Sequence, residues 1–301
     1  MTIGLIGVGK MGAGLLRRWL KAGLEVYAYD QNAEAAAVVE SAGGTFESSL
    51  ESLIAQLNAP RVIWLMIPAG EAVRDTIGAV GKELAAGDTV IDGGNSHFGD
   101  AQRHGATLAK RDIRFVDVGV SGGLAGEVKG YALMVGGAKA QVEPLTEVFE
   151  ALAAPGAYAH VGPVGAGHYV KMVHNAVEYG MMQAIGEGFH LLKDGSYPDL
   201  DLAQISELWS QGTIVRSFLM ELAAQALRRD GQLSDIAAYV EDNGEGRWSV
   251  KEAVDQAVPF WTNTAALYAR FDSRQAEPFS AKLIAALRKE FGGHEVKKSS
   301  G

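Results

Sequence analysis

Three glycines near the N-terminus constrain the fold of this chain more than any other feature. Gly7, Gly9 and Gly12 follow a short apolar segment, residues 2–6, and begin a helix-periodic segment at residue 11. Between a strand and a helix, the first glycine makes the tight turn, the second lets a ligand approach the backbone, and the third packs helix on strand. The spacing predicts a dinucleotide-binding α/β unit, although a glycine turn without a ligand has the same pattern.

The rest of the first half alternates apolar segments of strand length with amphipathic segments of helix length. Further strands are predicted at residues 24–30, 61–68, 88–94, 114–120 and 131–137, with a short segment at 158–161. Helices are predicted at residues 11–22, 33–41, 48–57, 71–84, 98–110 and 141–152. This alternation predicts a largely parallel sheet covered by helices on both faces.

After Gly165 the pattern contains only helix-periodic segments. They lie at residues 167–192, 202–211, 215–229, 250–256, 261–269 and 278–291. Ser249 and Glu252 have the spacing of a capping box for the fourth of them. The chain therefore predicts a Rossmann-like doubly wound α/β domain, an all-α domain and a flexible tail, at residues 1–163, 164–294 and 295–301.

Composition excludes several classes of function. The net charge of −9 over 301 residues argues against a nucleic-acid surface. The absence of cysteine excludes disulfides and thiol catalysis and fits a reducing cytosol. The longest strongly apolar run, residues 62–67, is too short for a bilayer, and a strand starting at residue 2 leaves no room for a targeting segment. We expect a cytoplasmic protein that binds neither nucleic acid nor membranes.

Residues 167–180 carry a polar stripe on a mostly apolar segment. Lys171, His174, Asn175 and Glu178 fall at i, i+3, i+4 and i+7, which stacks them on one face of a helix. A helix that is apolar over most of its girth is usually buried, and unpaired charge is costly there. The stripe favours a catalytic role over a solvated face, because Lys171 and Glu178 are two turns apart.

Asp30 ends the second predicted strand and suggests which dinucleotide binds. A carboxylate at this place after the glycine turn binds the ribose hydroxyls and repels a 2′-phosphate. No arginine follows in Gln31-Asn32. We therefore predict NAD, rather than NADP, as the cofactor.

Two further turns follow predicted strands, at residues 92–96 (DGGNS) and 121–123 (SGG). Ligands of open α/β sheets bind beyond the carboxyl ends of the strands, so both turns are well placed for a substrate. Either one alone could be only a turn.

Taken together, DGGNS, SGG and the KMVHNAVEY segment resemble the decarboxylating 6-phosphogluconate dehydrogenases of the β-hydroxyacid dehydrogenase superfamily. The resemblance extends to a C-terminal R-x-x-F-G-x-H pattern, and the length is that of the family's short form. Relatives such as 3-hydroxyisobutyrate dehydrogenases usually carry Asn-Asn in place of His174-Asn175 and lack the DGGNS loop.

The resemblance implies oxidative decarboxylation of 6-phosphogluconate to ribulose 5-phosphate and CO2 with reduction of NAD, a step of the pentose phosphate pathway. Lys171 would be the general base and then an acid, and Glu178 would donate a proton to the enediol. The base must start neutral, which requires burial or a nearby cation to lower the pKa of Lys171. No metal is required, because a β-keto acid decarboxylates readily beside such a donor.

The resemblance also implies the binding residues. Those for the substrate are Asn95, Ser121, Gly122, Gly123, His174, Asn175, Tyr179, Arg270, Arg288 and His294. Those for the cofactor are Gly7, Val8, Gly9, Lys10, Met11, Gly12, Asp30, Met66, Pro68, Ala69 and Asn95. In the family the C-terminal tail reaches the partner subunit's site, so Arg288 and His294 imply a homodimer or a dimer of dimers. Without the resemblance, Arg288 would be interpreted as a solvated cation near a helix end.

The residues alone leave several alternatives open. The family's long form has a lysine where this chain has Asn243, and Arg247 could replace it as a phosphate contact or cap a turn. His97, His104, His168 and His190 lack partners at metal-ligand spacing and are interpreted as surface or core residues. The competing functions are a dehydrogenase of another small β-hydroxyacid and a non-catalytic NAD-binding protein.

Overall fold

The computed structural model describes residues 1–197 and 199–298. The chain divides into two compact units, Met1–His174 and a second that begins at Asn175. The predicted fold class, a Rossmann-like doubly wound domain followed by an all-α domain, is confirmed. The predicted boundary at residue 163 stays a prediction, and residues 299–301 of the predicted tail lie outside the described residues.

The first unit is built on an eight-stranded sheet with the order β3-β2-β1-β4-β5-β6-β7-β8. The strands are β1 (Thr2–Ile6), β2 (Glu25–Tyr29), β3 (Thr45–Phe46), β4 (Val62–Leu65), β5 (Thr89–Asp92), β6 (Arg114–Ser121), β7 (Tyr131–Gly136) and β8 (Ala153–Gly162). Only β6 and β7 pair antiparallel. Strand β3 was not predicted, and β8 is longer than the predicted segment 158–161.

The register aligns the carboxyl ends of the central strands. Ile6 lies opposite Leu65, Leu65 opposite Asp92, and Asp92 opposite Asp117. Strand β6 then continues to Ser121. The loops that follow β1, β4 and β5 therefore leave one edge of the sheet together.

Helices cover both faces of this sheet. They are α1 (Lys10–Lys21), α2 (Ala35–Ser41), α3 (Leu50–Gln56), α4 (Glu71–Glu83), α5 (Phe98–Ala109), α6 (Gly126–Lys129), α7 (Lys139–Val142) and α8 (Thr146–Leu152). Successive strand residues point to opposite faces, so Ile63 and Trp64 belong to two separate buried clusters. Trp64 packs edge-on against Trp19, with ring centroids 5.2 Å apart. The clusters hold the sheet between two helical layers.

Helices are the only regular secondary structure among the described residues of the second unit, and loops connect them. Its elements are the end of α9 (Ala166–Asp194), α10 (Leu202–Gln211), α11 (Phe218–Arg229), α12 (Glu245–Asp255), α13 (Trp261–Asp272) and α14 (Phe279–Gly292). Tyr179 packs with Ala266 and Leu267 in one small buried cluster of this unit. None of the helices in the described part of the chain has the length and apolarity needed to cross a membrane.

Helix α12 begins earlier than predicted, and the predicted Ser249–Glu252 capping box is wrong. Gly244 takes a left-handed conformation with φ +91°, and its carbonyl accepts a hydrogen bond of 3.0 Å from the Trp248 N–H. The Ser249 hydroxyl donates to the Glu245 carbonyl at 2.9 Å. Ser249 thus bonds back within the helix instead of capping its start.

The single helix predicted at residues 141–152 is broken in two. A 3-10 turn, Glu143–Leu145, separates α7 from α8, and Pro144 lies within it. Proline has no N–H to donate and clashes with the preceding turn, so a regular α-helix does not continue through this position.

Helix α9 is less buried than its apolar composition predicts. Lys171 and Asn175 are only 7% and 6% exposed, whereas Val170, Val177 and Met181 on a neighbouring face are 36–45% exposed. The prediction that the polar stripe is carried into an interior therefore holds for Lys171 and Asn175. The prediction of a helix buried around its girth is wrong. An apolar helix face favours contact with other apolar groups, but its sequence does not show that the same chain supplies that contact.

Candidate active site

The fingerprint glycines have the geometry that a bound dinucleotide requires. Gly7 has a φ of +97°, and a Cβ atom there would lie 2.4 Å from the Met66 carbonyl oxygen. A Cβ atom on Gly12 would lie 2.0 Å from the Gly7 carbonyl oxygen. Gly9 is the N-cap of α1 and has nothing within 4 Å of its Cβ position. The first turn of α1 carries no acidic residue, so its N–H groups are able to donate hydrogen bonds to a pyrophosphate.

Asp30 is held against the fingerprint loop. Its carboxylate accepts a hydrogen bond of 2.7 Å from the Val8 N–H and another of 2.8 Å from the Asn32 N–H. A carboxylate has about four acceptor positions, so lone pairs remain for two ribose hydroxyls. These residues fit the adenosine ribose of NAD, and the anchoring keeps the negative charge beside the place of a 2′-phosphate.

The loop after β4 borders the same edge of the sheet. The Met66 N–H donates to the Ile6 carbonyl at 2.8 Å, Met66 is half-buried, and Pro68 and Ala69 are exposed. Lys10 is exposed and Met11 half-buried in the first turn of α1. Cofactor contact by these residues stays a prediction.

The DGGNS loop packs closely because two of its residues lack a side chain. A Cβ atom on Gly93 would lie 2.2 Å from Nε1 of the buried Trp64, and one on Gly94 would lie 2.8 Å from the Ile67 carbonyl oxygen. The Asp92 carboxylate accepts from the Gly94 N–H at 3.1 Å. Asn95 follows as the first exposed residue of the loop. The glycines thus place the Asn95 amide at the carboxyl edge of the sheet.

The SGG turn contacts the long helix. Gly122 and Gly123 have φ values of +122° and +53°, a region that favours glycine. Ser121 ends β6, and its Oγ lies 3.4 Å from Nε2 of His174. The structure therefore brings together the serine and the histidine that the resemblance assigned to one substrate.

Lys171 lies directly over strand β6. A Cβ atom on Gly119 would be only 2.4 Å from the Lys171 Cβ atom. Gly167 approaches the sheet equally closely, since a Cβ atom there would lie 2.5 Å from the carbonyl oxygens of Asp117 and Met134. These glycines let the first turns of α9 rest on the backbone of the sheet, and Lys171 is buried there.

The start of α9 is also held by buried polar groups that the sequence analysis did not assign. The Asp117 carboxylate accepts hydrogen bonds from the Gly165 N–H at 2.6 Å and the His168 N–H at 2.9 Å. Nε2 of His168 lies 3.1 Å from the Asp92 carbonyl oxygen, to which it donates. Asp117 caps the helix from a neighbouring strand, and His168 joins it to the strand before DGGNS. The one available signal was a lone aspartate in the apolar segment 115–120.

In the second unit, buried hydrogen bonds surround Asn175 and Tyr179. The Asn175 amide donates to the Glu245 carboxylate, as does Nδ2 of Asn243 at 2.8 Å. The Tyr179 hydroxyl donates to Oδ1 of Asn243 at 2.8 Å. Burial raises the pKa of Tyr179, so its hydroxyl keeps the proton that it donates. Glu178, on the same helix, is half-buried.

Three arginines gather beside this network. The Cζ atom of Arg270 lies 3.6 Å from the Tyr179 ring centroid. Arg247 and Arg274 both pair with the Asp242 carboxylate, each at 2.8 Å. Hydrogen bonds from Arg247, and then from Arg274, hold the pKa of Asp242 well below its usual value. Arg247 therefore joins α12 to the segment before it, and its role as a phosphate contact or a turn cap stays an open alternative.

The remaining histidines have structural contacts. Nδ1 of His97 accepts from the Gly99 N–H at 3.1 Å, and burial lowers the pKa of His104. His190 lies 3.0 Å from the Asp194 carboxylate on the exposed end of α9. Among the described residues no three histidine or acidic side chains form a group that could hold a metal ion.

Arg288 lies in the last turns of α14, and His294 follows the end of that helix. Helix α14 has no buried residue, and both side chains are exposed. His294 contacts Phe291, with ring centroids 6.4 Å apart. Their assignment to a substrate site stays a prediction.

Two family models together account for nearly the whole chain. Residues 2–165 match the NAD binding domain of 6-phosphogluconate dehydrogenase, and residues 167–288 match the C-terminal domain of the same enzyme. This chain belongs to the 6-phosphogluconate dehydrogenase family. The resemblance drawn from DGGNS, SGG and the polar stripe is thereby confirmed.

Individual family members agree with this placement. The chain is 44% identical to an NAD(+)-dependent, decarboxylating 6-phosphogluconate dehydrogenase of Haloferax volcanii, over 98% of both chains. It matches the 6-phosphogluconate dehydrogenase of Plasmodium falciparum with a TM-score of 0.84 and 30% identity, over 100% of this chain and 67% of that one. A 3-hydroxyisobutyrate dehydrogenase of Mycobacterium tuberculosis, at 24% identity and a TM-score of 0.72, covers 95% of this chain and 99% of its own and shares the fold.

Proposed function

We propose that this chain catalyses the NAD-dependent oxidative decarboxylation of 6-phosphogluconate to ribulose 5-phosphate and CO2. The observation that carries the proposal is the full-length match to an NAD(+)-dependent, decarboxylating relative. The Asp30 carboxylate, which accepts a hydrogen bond from the Val8 N–H, supports NAD as the cofactor. The buried Lys171 supports proton transfer at the substrate.

Bound NAD supplies a hydride acceptor for C3 of the substrate. Lys171 takes the proton of the C3 hydroxyl as that carbon is oxidised. Lys171 is only 7% exposed, so the amine that acts as the base is largely shielded from water. The protonated Lys171 then donates a hydrogen bond to the enolate oxygen that develops as CO2 leaves.

Glu178 completes the reaction by protonating C1 of the enediol. It lies seven residues after Lys171 on one continuous helix, so the base and the acid share a helix face. Asn95, Ser121, Gly122, Gly123, His174 and Asn175 bind the sugar hydroxyls and the carboxylate. The contact between Ser121 and His174 supports this grouping.

The phosphate is bound chiefly by Arg270. Its guanidinium lies over the Tyr179 ring and donates through Nη1 to the Glu241 carbonyl at 2.8 Å, which leaves other N–H groups for an anion. The Tyr179 hydroxyl already donates to Asn243, so Tyr179 contributes a platform for Arg270 and donates to phosphate only when Asn243 releases it.

We further propose a homodimer, or a dimer of dimers, in the cytoplasm. Exposed apolar side chains on α9 and α14, including Val177 at 45% and Phe291 at 77%, support a subunit interface. Arg288 and His294 would then complete the partner's phosphate site. The absence of cysteine fits a reducing compartment.

The test is an assay of NADH formation with CO2 release measured in parallel. We expect equal amounts of both from 6-phosphogluconate, and little turnover of gluconate or 3-hydroxyisobutyrate. NADH without CO2 would indicate a non-decarboxylating dehydrogenase. Binding of NAD without turnover of any of these acids would favour a non-catalytic protein.

A further inference from the structure

Glu245 is an unusual residue to find buried. It is 2% exposed and opens helix α12 directly after the left-handed Gly244. A buried carboxylate is costly unless hydrogen bonds compensate for the lost water. Here the side-chain amides of Asn175 and Asn243 both donate to it. Hydrogen bonds from these two amides, which are far apart in the sequence, therefore compensate for the burial of the carboxylate.

The chemistry of a carboxylate fixes how these amides are oriented. An ionised carboxylate only accepts hydrogen bonds, so each asparagine must direct its Nδ2 group toward Glu245. The Oδ1 atom of Asn243 then faces the other way, where it accepts from the Tyr179 hydroxyl at 2.8 Å and the Glu245 N–H at 3.3 Å. By the same reasoning, Asn175 turns its carbonyl oxygen away from Glu245.

The network continues from Asn243 to an arginine. The Asn243 N–H donates to the Tyr179 hydroxyl at 3.1 Å. This hydroxyl therefore makes two hydrogen bonds with Asn243: it donates one to the side-chain oxygen and accepts one from the backbone N–H. The Tyr179 ring held in this way carries the Arg270 guanidinium at 3.6 Å. One carboxylate thus orients an amide on α9 and, through Asn243, the aromatic platform beneath Arg270.

We propose that Glu245 is a positioning residue of the substrate site. It makes Asn175 present a carbonyl oxygen, which accepts a hydrogen bond from a sugar hydroxyl, and it holds the Tyr179–Arg270 pair at the phosphate. The inference rests on the proposed function for the identity of the substrate. The orientation of the two amides follows from the hydrogen bonds alone.

Two substitutions at this position separate hydrogen bonding from volume. Glu245→Gln keeps an oxygen that can accept both amides, whereas Glu245→Met fills a similar space and accepts nothing. We expect Glu245→Met to raise KM for 6-phosphogluconate by on the order of tenfold or more, with KM for NAD changed by less than about twofold. Glu245→Gln should restore most of the substrate affinity.

Controls distinguish this role from general destabilisation. Ser206→Ala removes a buried hydroxyl on α10 that bonds at 2.9 Å to the Ala203 carbonyl, away from the network, and should leave both KM values unchanged. Asn243→Ala removes the bonds to Tyr179 and one of the two amides on Glu245, but it leaves the Asn175–Glu245 hydrogen bond in place, so it should raise the substrate KM less than Glu245→Met. If Glu245→Met does not fold, Asn243→Ala and Glu245→Gln still give the comparison.

A second readout does not depend on turnover. Side-chain amide protons of Asn175 and Asn243, assigned by NMR in the full chain, should exchange slowly in the wild type and rapidly in Glu245→Met, or in Glu245→Ala if the methionine variant does not fold. An unchanged substrate KM, equal increases of both KM values, or amides that stay protected without the carboxylate would overturn the role of Glu245. A wild type inactive on 6-phosphogluconate but with protected amides would overturn the substrate assignment and leave the amide orientation standing.

Discussion

Gly119 and Lys171 are in direct contact: a Cβ atom on Gly119 would lie 2.4 Å from the Cβ atom of Lys171 and 3.1 Å from its Cγ. The absence of a side chain on strand β6 therefore sets how closely the helix that carries the proposed base approaches the sheet. The position of Lys171 depends on this contact as well as on its own helix.

Gly119→Ala should displace Lys171 without disturbing the cofactor site. Displacements of about 1 Å cost up to roughly 100-fold in rate, so we expect kcat to fall at least about tenfold while the Kd for NAD is unchanged. Gly78→Ala is the matched control, because nothing lies within 4 Å of that Cβ position on α4. Equal kcat values for Gly119→Ala and the wild type would show that this contact does not position the base.

Asp30→Ser should shift the cofactor preference toward NADP. The substitution removes a carboxylate held 2.7 Å from the fingerprint loop, and with it the repulsion of a 2′-phosphate. We expect the ratio of kcat/KM for NADP to that for NAD to rise by on the order of tenfold or more. Glu34→Gln removes an exposed charge nearby, and an equally large shift in that variant would argue against a specific role for Asp30.

Asp242 should make the free energy of unfolding of the second unit depend on pH in the acidic range. Its pKa is lowered in the folded state by hydrogen bonds from Arg247 and Arg274, so the folded state binds fewer protons than the unfolded state. The stabilisation is complete above the unfolded pKa of about 3.9 and is lost as the pH falls toward the lower folded value.

Urea denaturation of Asp242→Asn tests this dependence. We expect the variant to be less stable than the wild type by about 1.5–3 kcal/mol near neutral pH, because charged hydrogen bonds are lost. The difference should shrink below about pH 4. A difference that grows with acidity would contradict the assignment, and Asp75→Asn, at an exposed pair with Arg74, should leave the pH profile unchanged.

The sequence was sufficient to predict the fold class and the loops at the carboxyl edge of the sheet. Apolar periodicity distinguishes strand from helix, and glycines such as Gly93 mark places where backbones must approach. Local patterns failed where tertiary contacts decide: Ser249 has capping-box spacing but lies inside a helix that begins at the left-handed Gly244. The two-residue strand β3 is too short to leave a periodic signal.

The polar contacts around the site could not be predicted from spacing. Asp117 accepts from the N–H of Gly165, 48 residues later and just before α9, and Asn175 donates to a carboxylate 70 residues away. Such pairs depend on how the elements pack, and no local periodicity encodes them. The exposed side of α9 was not predictable for the same reason. Its apolar residues favour burial, but their spacing does not identify the surface that would bury them.

The rate of NADH formation by Lys171→Met shows most directly whether Lys171 is the general base. General-base catalysis contributes about 10²–10⁴-fold, so the variant should lose at least about 100-fold in kcat with 6-phosphogluconate. Its Kd for NAD should match the wild type, because the fingerprint loop and Asp30 are untouched. A Lys171→Met enzyme that forms NADH within about tenfold of the wild-type rate would contradict the assignment of Lys171 as the base.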